Sequence, residues 1–193
     1  GAPAWGLVGA ALAQRGNEYH TPCRGASGGS ESQLPDAQAA DQFTLDALPL
    51  ALAGANMIFG AGGIDRGLTF DYAKLIMDHE CICHIKKMLE GVRVDSETMA
   101  LDLIHEIGPG GTFLMHRHTL ERTRSQSTVN LFDRDSREVW MDTTAGKDLT
   151  ERAYTKATEI LESHQAPALP DSTAETIEGL VNEFEARLKR DRN

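Results

Sequence analysis

The chain has 193 residues, 40% of them hydrophobic, with a formal net charge of -10, so it is long enough to bury a core and too acidic to favour nucleic acid or an anionic membrane as a partner. Its three cysteines, Cys23, Cys81 and Cys83, are too few and too uneven in number for a disulfide framework and fit a reducing cytoplasm. No apolar run approaches the roughly 20 residues that span a bilayer.

The opening GAPAWGLVGAALAQRGN is apolar but carries neither a basic leading region nor a small-residue cleavage site. It predicts a packed helix over 4–15, with Trp5, Val8, Ala11 and Leu12 as its stripe. The chain opens on Gly1 rather than methionine, which leaves room for residues upstream. Residues 18–24 suggest a short strand, interrupted by Pro22. The Gly/Ser stretch GASGGSES leads to Asp36, whose carboxylate can cap a helix running to about residue 53, with Pro49 expected to kink it or end it early.

ANMIFG, residues 55–60, is a short apolar run bounded by glycines, the pattern of a buried parallel strand. AGGIDRG then turns into a helix capped at Thr69 and reaching residue 89, with Leu75, Ile76, Ile82, Ile85 and Leu89 as its expected core face and Gly91 as its stop. Asp95 opens a further helix with Met99, Leu103, Ile104 and Ile107 inward, ended by Gly108-Pro109. Residues 111–115 read as a strand or an extended turn, with Thr119 capping the helix that follows. Asp148 with Glu151, and Ser172 with Glu175, resemble capping boxes ahead of two amphipathic helices, and the last residues, LKRDRN, are expected to fray.

Strands alternating with helices argue for βα units and a parallel sheet. Only two or three strand candidates exist, whereas a closed (β/α)8 barrel needs eight strands and about 250 residues. Either other residues supply the missing strands or chains associate, which makes a homo-oligomer an expectation.

Three segments carry the chemistry. The loop after the first strand offers Arg24, a planar fork for a carboxylate, and hydrogen-bonding groups at Ser30, Ser32, Asp36 and Gln38. The loop FGAGGIDRG brings Phe59 and lets the backbone at Gly62 approach a ligand, although its glycine spacing is not that of a dinucleotide motif. GPGGTFLMHRHTLER adds Phe113, His116 and His118, the histidines sharing one face if the segment is a strand. HECICH invites a metal reading, but on a helix only His79 with Cys83 and Glu80 with His84 share a face, so no metal site is assigned. For each of these the bland alternative is a loop, a tight turn, or histidines that hold a turn.

The order PDAQA, AGANMIFGAGGID, YAKLIMDHE and ALDLIHEIGPGGTFLMHRHT, followed by LFDR, Trp140 and ERAYTKATEILESH, resembles the C-terminal half of the trimethylamine:corrinoid methyltransferase family over residues 9–161. The resemblance implies an α/β fold in which residues 1–145 are the C-terminal part of a (β/α)8 TIM-type barrel, incomplete in this chain, and 146–193 are extra C-terminal helices packing on it. It implies methyl transfer from a methylated amine, tertiary or quaternary, to the Co(I) corrinoid of a partner protein docked over the barrel mouth, with no cofactor bound tightly to this chain. One branch of the family carries pyrrolysine, which the resemblance places around 28–33. This chain has standard residues there, which points to the branch without pyrrolysine, whose members accept betaine-like quaternary amines. A cationic donor prefers aromatic faces, so Phe59, Phe113 and Trp140 become substrate-binding candidates. Arg24, Asp36, Gln38 and Gly62 join them, and His116 and His118 are the catalytic candidates. The alternatives are a non-catalytic truncated barrel acting as a binding or self-associating module, and a metal hydrolase built on the histidines.

Overall fold

The computed structural model describes residues 3–27, 29–124 and 131–191. It is a mixed α/β chain, mostly helical, with two small sheets. Backbone contacts divide it into two compact units, Gly1–Glu159 and Ile160–Asn193.

Helix α1 spans Pro3–Glu18, longer than its stripe suggested, and His20 in the left-handed region (φ 53°) turns the chain out of it. The expected strand over 18–24 is therefore mostly helix end and turn, and β1 is only Arg24–Ala26. The Thr21 N–H donates to the Gly16 carbonyl at 3.0 Å, which consumes the stretch before the strand.

Helix α2 spans Ala37–Leu52, and Asp36 caps it as expected: its carboxylate accepts the Ala39 N–H at 3.0 Å and the Ser32 hydroxyl at 2.8 Å. Pro49 does not end this helix early: α2 continues past it to Leu52. It has no N–H to return to the Leu45 carbonyl, and that oxygen faces Gly6 of α1, where an added Cβ would lie 2.5 Å from it. Close approach at Gly6 and Gly9 lets α1 lie tightly on α2, with Ala13 fully buried.

The strand expected over 55–60 is present as β2, Met57–Phe59, but Met57 and Phe59 are exposed and Ile58 is half-buried, so it is not the buried strand expected. It pairs in parallel with β1, Arg24 opposite Met57 and Ala26 opposite Phe59, so β1, α2 and β2 form one βαβ unit. A hairpin follows, β3 (Gly63–Ile64) antiparallel to β4 (Thr69–Phe70) around a 3-10 turn at Asp65–Gly67. Thr69 is thus spent in a strand, and the cap of the next helix moves to Asp71, whose carboxylate accepts the Lys74 N–H at 2.8 Å.

Helix α3, Tyr72–Leu89, buries Ile85 of its expected face and packs Ile76 and Ile82 against the core, while Leu89 is exposed and charged residues are buried beside them. Lys74, Met77, Asp78, Cys81 and Ile85 are buried, because two charges neutralise each other inside. Gly91 (φ 68°) follows as the expected stop. The single helix expected after Asp95 is two, α4 (Ser96–Met99) and α5 (Leu101–Ile107), broken at a left-handed Ala100. Residues 111–115 form no strand, and α6 (Arg117–Arg124) is capped by His116 rather than Thr119.

Helix α7 spans Arg137–Thr144 and α8 spans Leu149–Ser163. The Asp148/Glu151 capping box opens α8, with both reciprocal bonds at 2.9 Å. In the second unit, α9 (Asp171–Asp191) begins before Ser172, and the Pro170 carbonyl accepts the first N–H groups instead of the expected Ser172 box.

Among the described residues, two buried clusters tie the helices together. Phe43, Ala47, Cys81 and Ile85 join α2 to α3, and Ala73, Met77, Leu131 and Ala153 join α3 to α8. No helix among the described residues is long and apolar enough to cross a membrane.

The Asp36 cap makes a direct prediction. Asp36→Ala is expected to lower stability by about 1 kcal/mol, the usual worth of a side-chain cap. The bonds from Ala39 and Ser32 hold the Asp36 carboxyl below its ordinary value of 3.8. The stabilisation is therefore complete above that value and is lost as pH falls through the lowered folded one. Urea unfolding across pH should show the wild type and the variant converging in acid; a difference that persists there would contradict the cap.

Candidate functional site on the strand pair β1 and β2

Successive residues of a strand point to opposite faces. In β1 and β2, Gly25 and Ile58 face the helices. An added Cβ at Gly25 would meet Leu50 of α2 at 2.4 Å, and Ile58 packs on the Phe43 cluster. The opposite face therefore presents Arg24, Ala26, Met57 and Phe59, with Phe59 still 40% exposed. The Arg24 guanidinium lies over the Phe59 ring, 4.8 Å from its centroid. A cavity of about 240 Å³ opens beside them, walled also by Trp5, Val8 and Leu12 of α1.

The loops leaving the two strands are tied together. The Ser27 N–H continues the ladder to the Phe59 carbonyl at 3.0 Å. Farther out, the Arg66 and Asp65 N–H groups donate to the Ser30 and Ser32 carbonyls, each at 2.8 Å. Asp65 and Arg66 adopt left-handed backbone (φ 50° and 58°) to present those donors. Gln42 of α2 organises the first loop from below, its amide oxygen accepting the Ser30 hydroxyl and the Glu31 N–H at 2.9 Å each.

Of the residues singled out in the sequence, the structure brings Arg24 and Phe59 together. Asp36 is committed to its cap, and Gln38 is exposed in the first turn of α2. Gly62 (φ 83°) is buried, its N–H donating to Asp78 at 2.8 Å and its carbonyl accepting from the Asp71 N–H at 2.9 Å, so both its backbone groups are occupied. Gly28 of the 28–33 stretch lies outside the described residues.

His116 and His118 sit on a turn and a helix. The His116 ring accepts the His118 N–H at 3.2 Å, and the His118 ring meets the Glu97 carbonyl of α4 at 3.2 Å. Phe113 borders a separate hollow with Ile104, Gly108 and Pro109, and Trp140 lies half-buried on α7. Neither histidine shares a hydrogen bond, a ring contact or a cavity with Arg24 or Phe59.

In the HECICH stretch the His79 ring and the Cys83 sulfur approach at 3.7 Å. Among the described residues no group of three or more His, Cys, Asp or Glu side chains could hold a metal ion.

The sequence reading missed Lys74 and Asp78. Both are 1% exposed and joined by a direct ion pair. The Lys74 ammonium also sits 4.7 Å from the centre of the Phe43 ring. The second Asp78 oxygen holds the Gly62 N–H, so this pair fixes the loop after β2 from beneath. Burial pushes the Asp78 carboxyl above its ordinary value, opposed by Lys74 and by the Gly62 N–H. The i,i+4 spacing of a lysine and an aspartate was the available signal, but that spacing more often marks a solvated helix face.

Comparison with known proteins gives these groups a context. The profile of the family described as trimethylamine methyltransferase (MTTB) matches residues 1–190. Over 185 residues the chain is 43% identical to a trimethylamine methyltransferase of Desulfitobacterium hafniense strain DSM 10664 / DCB-2, covering 96% of this chain and 37% of that protein. It is 33% identical over 189 residues to a trimethylamine methyltransferase of Methanosarcina mazei, covering 98% and 38%. It is also 30% identical over 171 residues to the glycine betaine methyltransferase of Desulfitobacterium hafniense strain Y51, covering 88% and 35%. The chain thus spans somewhat over a third of the length of these curated relatives.

Proposed function

Because this chain belongs to the trimethylamine methyltransferase (MTTB) family, we propose that the protein moves a methyl group from a methylated amine to the Co(I) corrinoid of a partner protein. In this reading β1 and β2 are neighbouring strands of a (β/α)8 barrel whose remaining strands come from other residues of the full-length protein. The face bearing Arg24, Ala26, Met57 and Phe59 lines the barrel interior, and the loops at 29–35 and 60–67 form part of its mouth.

The observation that carries the proposal is the guanidinium of Arg24, the first residue of β1, reaching along the sheet to rest on Phe59 at the carboxyl end of β2. The ring face that holds this cation can hold an alkylated ammonium instead. Arg24, displaced from the ring, is then free to pair with a carboxylate on the same donor, as a betaine provides. The relatives' names include both a trimethylamine and a glycine betaine methyltransferase, which supports a donor among tertiary and quaternary methylated amines.

The chemistry asks little of this chain by way of proton transfer when the donor is quaternary. The methyl carbon leaves with its C–N bonding pair remaining on nitrogen, so a neutral amine departs. The corrinoid supplies the nucleophile when its carrier is docked. The residues of this chain bind, align and desolvate the cation. Ala26, Gly60 and Gly63 keep the side chains along this rim small. His116 and His118, which share no cavity with Arg24 and Phe59, belong to the proposal as groups that meet the corrinoid carrier.

Phe59→Leu tests the aromatic contact while keeping an apolar side chain. Calorimetric binding of a quaternary methylated amine to the protein as encoded by its gene is expected to weaken roughly 2- to 30-fold, the factor matching about 0.5–2 kcal/mol of cation–π attraction. Unchanged affinity would remove Phe59 from the site.

A further inference from the structure

We propose that α8 is a clamp across the mouth, with Thr150 and Tyr154 as positioning residues that set the spacing of the two loops. This rests on the reading of those loops as the active-site rim. Thr150 and Tyr154 are one helical turn apart and so lie on the same side of α8. The Thr150 hydroxyl donates to the Pro35 carbonyl at 2.9 Å, across 115 residues of sequence. The Tyr154 hydroxyl donates to the Asp71 carboxylate at 2.7 Å, across 83 residues.

The two targets are equivalent points in consecutive βα connections. Pro35 ends the loop from β1, immediately before the cap of α2. Asp71 ends the excursion from β2 and is itself the cap of α3. One helix therefore grips the far end of each loop where it enters its helix. Between these grips the loops meet through the Ser30 and Ser32 carbonyls and the 65–66 turn. From Asp71 the connection runs back through its N–H to the Gly62 carbonyl, and from Gly62 to buried Asp78.

The clamp is held down independently of its two hydroxyls. Ala153 and Ala157 are buried on the same side of α8, Ala153 against Ala73 and Met77 of α3. Leu149 packs on the same cluster, and Arg152 pairs with Asp133 at 3.6 Å. Loss of one hydroxyl thus frees a loop end without releasing the helix. Tyr154 and Thr150 touch no reacting group; they act through Pro35, Asp71 and the loops those residues end.

The test uses Tyr154→Phe, Thr150→Val and the conservative Thr150→Ser in the protein as encoded by its gene. Amide hydrogen exchange is read alongside methyl transfer to free cob(I)alamin. Tyr154→Phe is expected to raise exchange about tenfold within 60–71, and Thr150→Val within 29–36, with the rest of the first unit unchanged. KM for the methylated amine is expected to rise about tenfold, with kcat changed less than twofold, and Thr150→Ser should restore both readouts. Exchange that stays at the wild-type level in the loops, or that rises throughout the unit, would overturn the clamp. So would an unchanged KM in an active protein. If the wild type transfers no methyl group, the proposed reaction fails, while the exchange pattern still decides whether α8 holds the loops.

Discussion

Replacing Lys74 by methionine is expected to lower the stability of the fold by about 3–5 kcal/mol, the range for removing one partner of a buried ion pair. The ammonium is enclosed by Asp78 and by the Phe43 ring, and both charged side chains are 1% exposed. Methionine fills a similar volume and leaves no cationic partner for a carboxylate that burial already pushes above its ordinary value. Without Lys74 that upward push is less opposed. A raised folded value means that the folded state binds the proton the unfolded state releases, so stability rises as pH falls through the window between 3.8 and the folded value. Urea unfolding should therefore show the largest deficit of Lys74→Met at neutral pH and a smaller one in acid. Replacing Asp78 by leucine in the same chain removes the stranded charge. The double variant should recover part of the deficit and fall short of wild type, because the Gly62 N–H is left without its acceptor, a loss of about 1–3 kcal/mol. A single variant as stable as wild type would mean that the pair carries no buried charge.

Phe43→Ala is expected to cost about 3–5 kcal/mol, the usual range for emptying a buried aromatic site. Phe43 is 2% exposed at the centre of the cluster that joins α2 to α3. Its ring packs with Ala47, Cys81 and Ile85 and also carries the Lys74 ammonium on its face. The substitution opens a cavity and removes the aromatic face from a buried cation at once. A double-mutant cycle with Lys74→Met separates these effects. The two losses should fall short of additive by about 0.5–2 kcal/mol, since the contact between Lys74 and Phe43 is counted in both single variants. Additive losses would show that the ring contributes packing alone.

The legible parts of the fold were those written in adjacent residues. Asp36 ahead of an apolar helix, ANMIFG between glycines, Gly91 after α3 and the Asp148/Glu151 box are local signals, and each appears in the structure where it was expected. What was hidden depends on pairing across the chain. Thr69 is a good capping residue in isolation, but it pairs with Ile64 and yields that role to Asp71. Lys74 and Asp78 went unmarked because nothing nearby in sequence announces that Phe43 and the Gly62 N–H will enclose them. Pro49 predicted an early helix end, but α2 continues to Leu52, and the Leu45 carbonyl that Pro49 cannot serve lies against Gly6 of α1.

The site divides in the same way. Arg24 and Phe59 were each visible as chemistry, and the parallel register of β1 and β2 brings them into contact. The HxH spacing suggested two histidines on one strand face. A turn and a helix start there instead, and the His116 ring is used as a cap, because a ring nitrogen can accept an orphan N–H as well as a serine can. Gln42, Thr150 and Tyr154 had no motif to mark them, since their targets lie between 11 and 115 residues away.

Methyl transfer by the protein as encoded by its gene, with free cob(I)alamin as acceptor and a panel of tertiary and quaternary methylated amines as donors, tests the account most directly. Consumption of Co(I) that depends on one of these amines, and that slows when Phe59 is replaced by leucine, is the predicted result. A folded protein that consumes no Co(I) with any donor of the panel, or that does so equally well without Phe59, would contradict it.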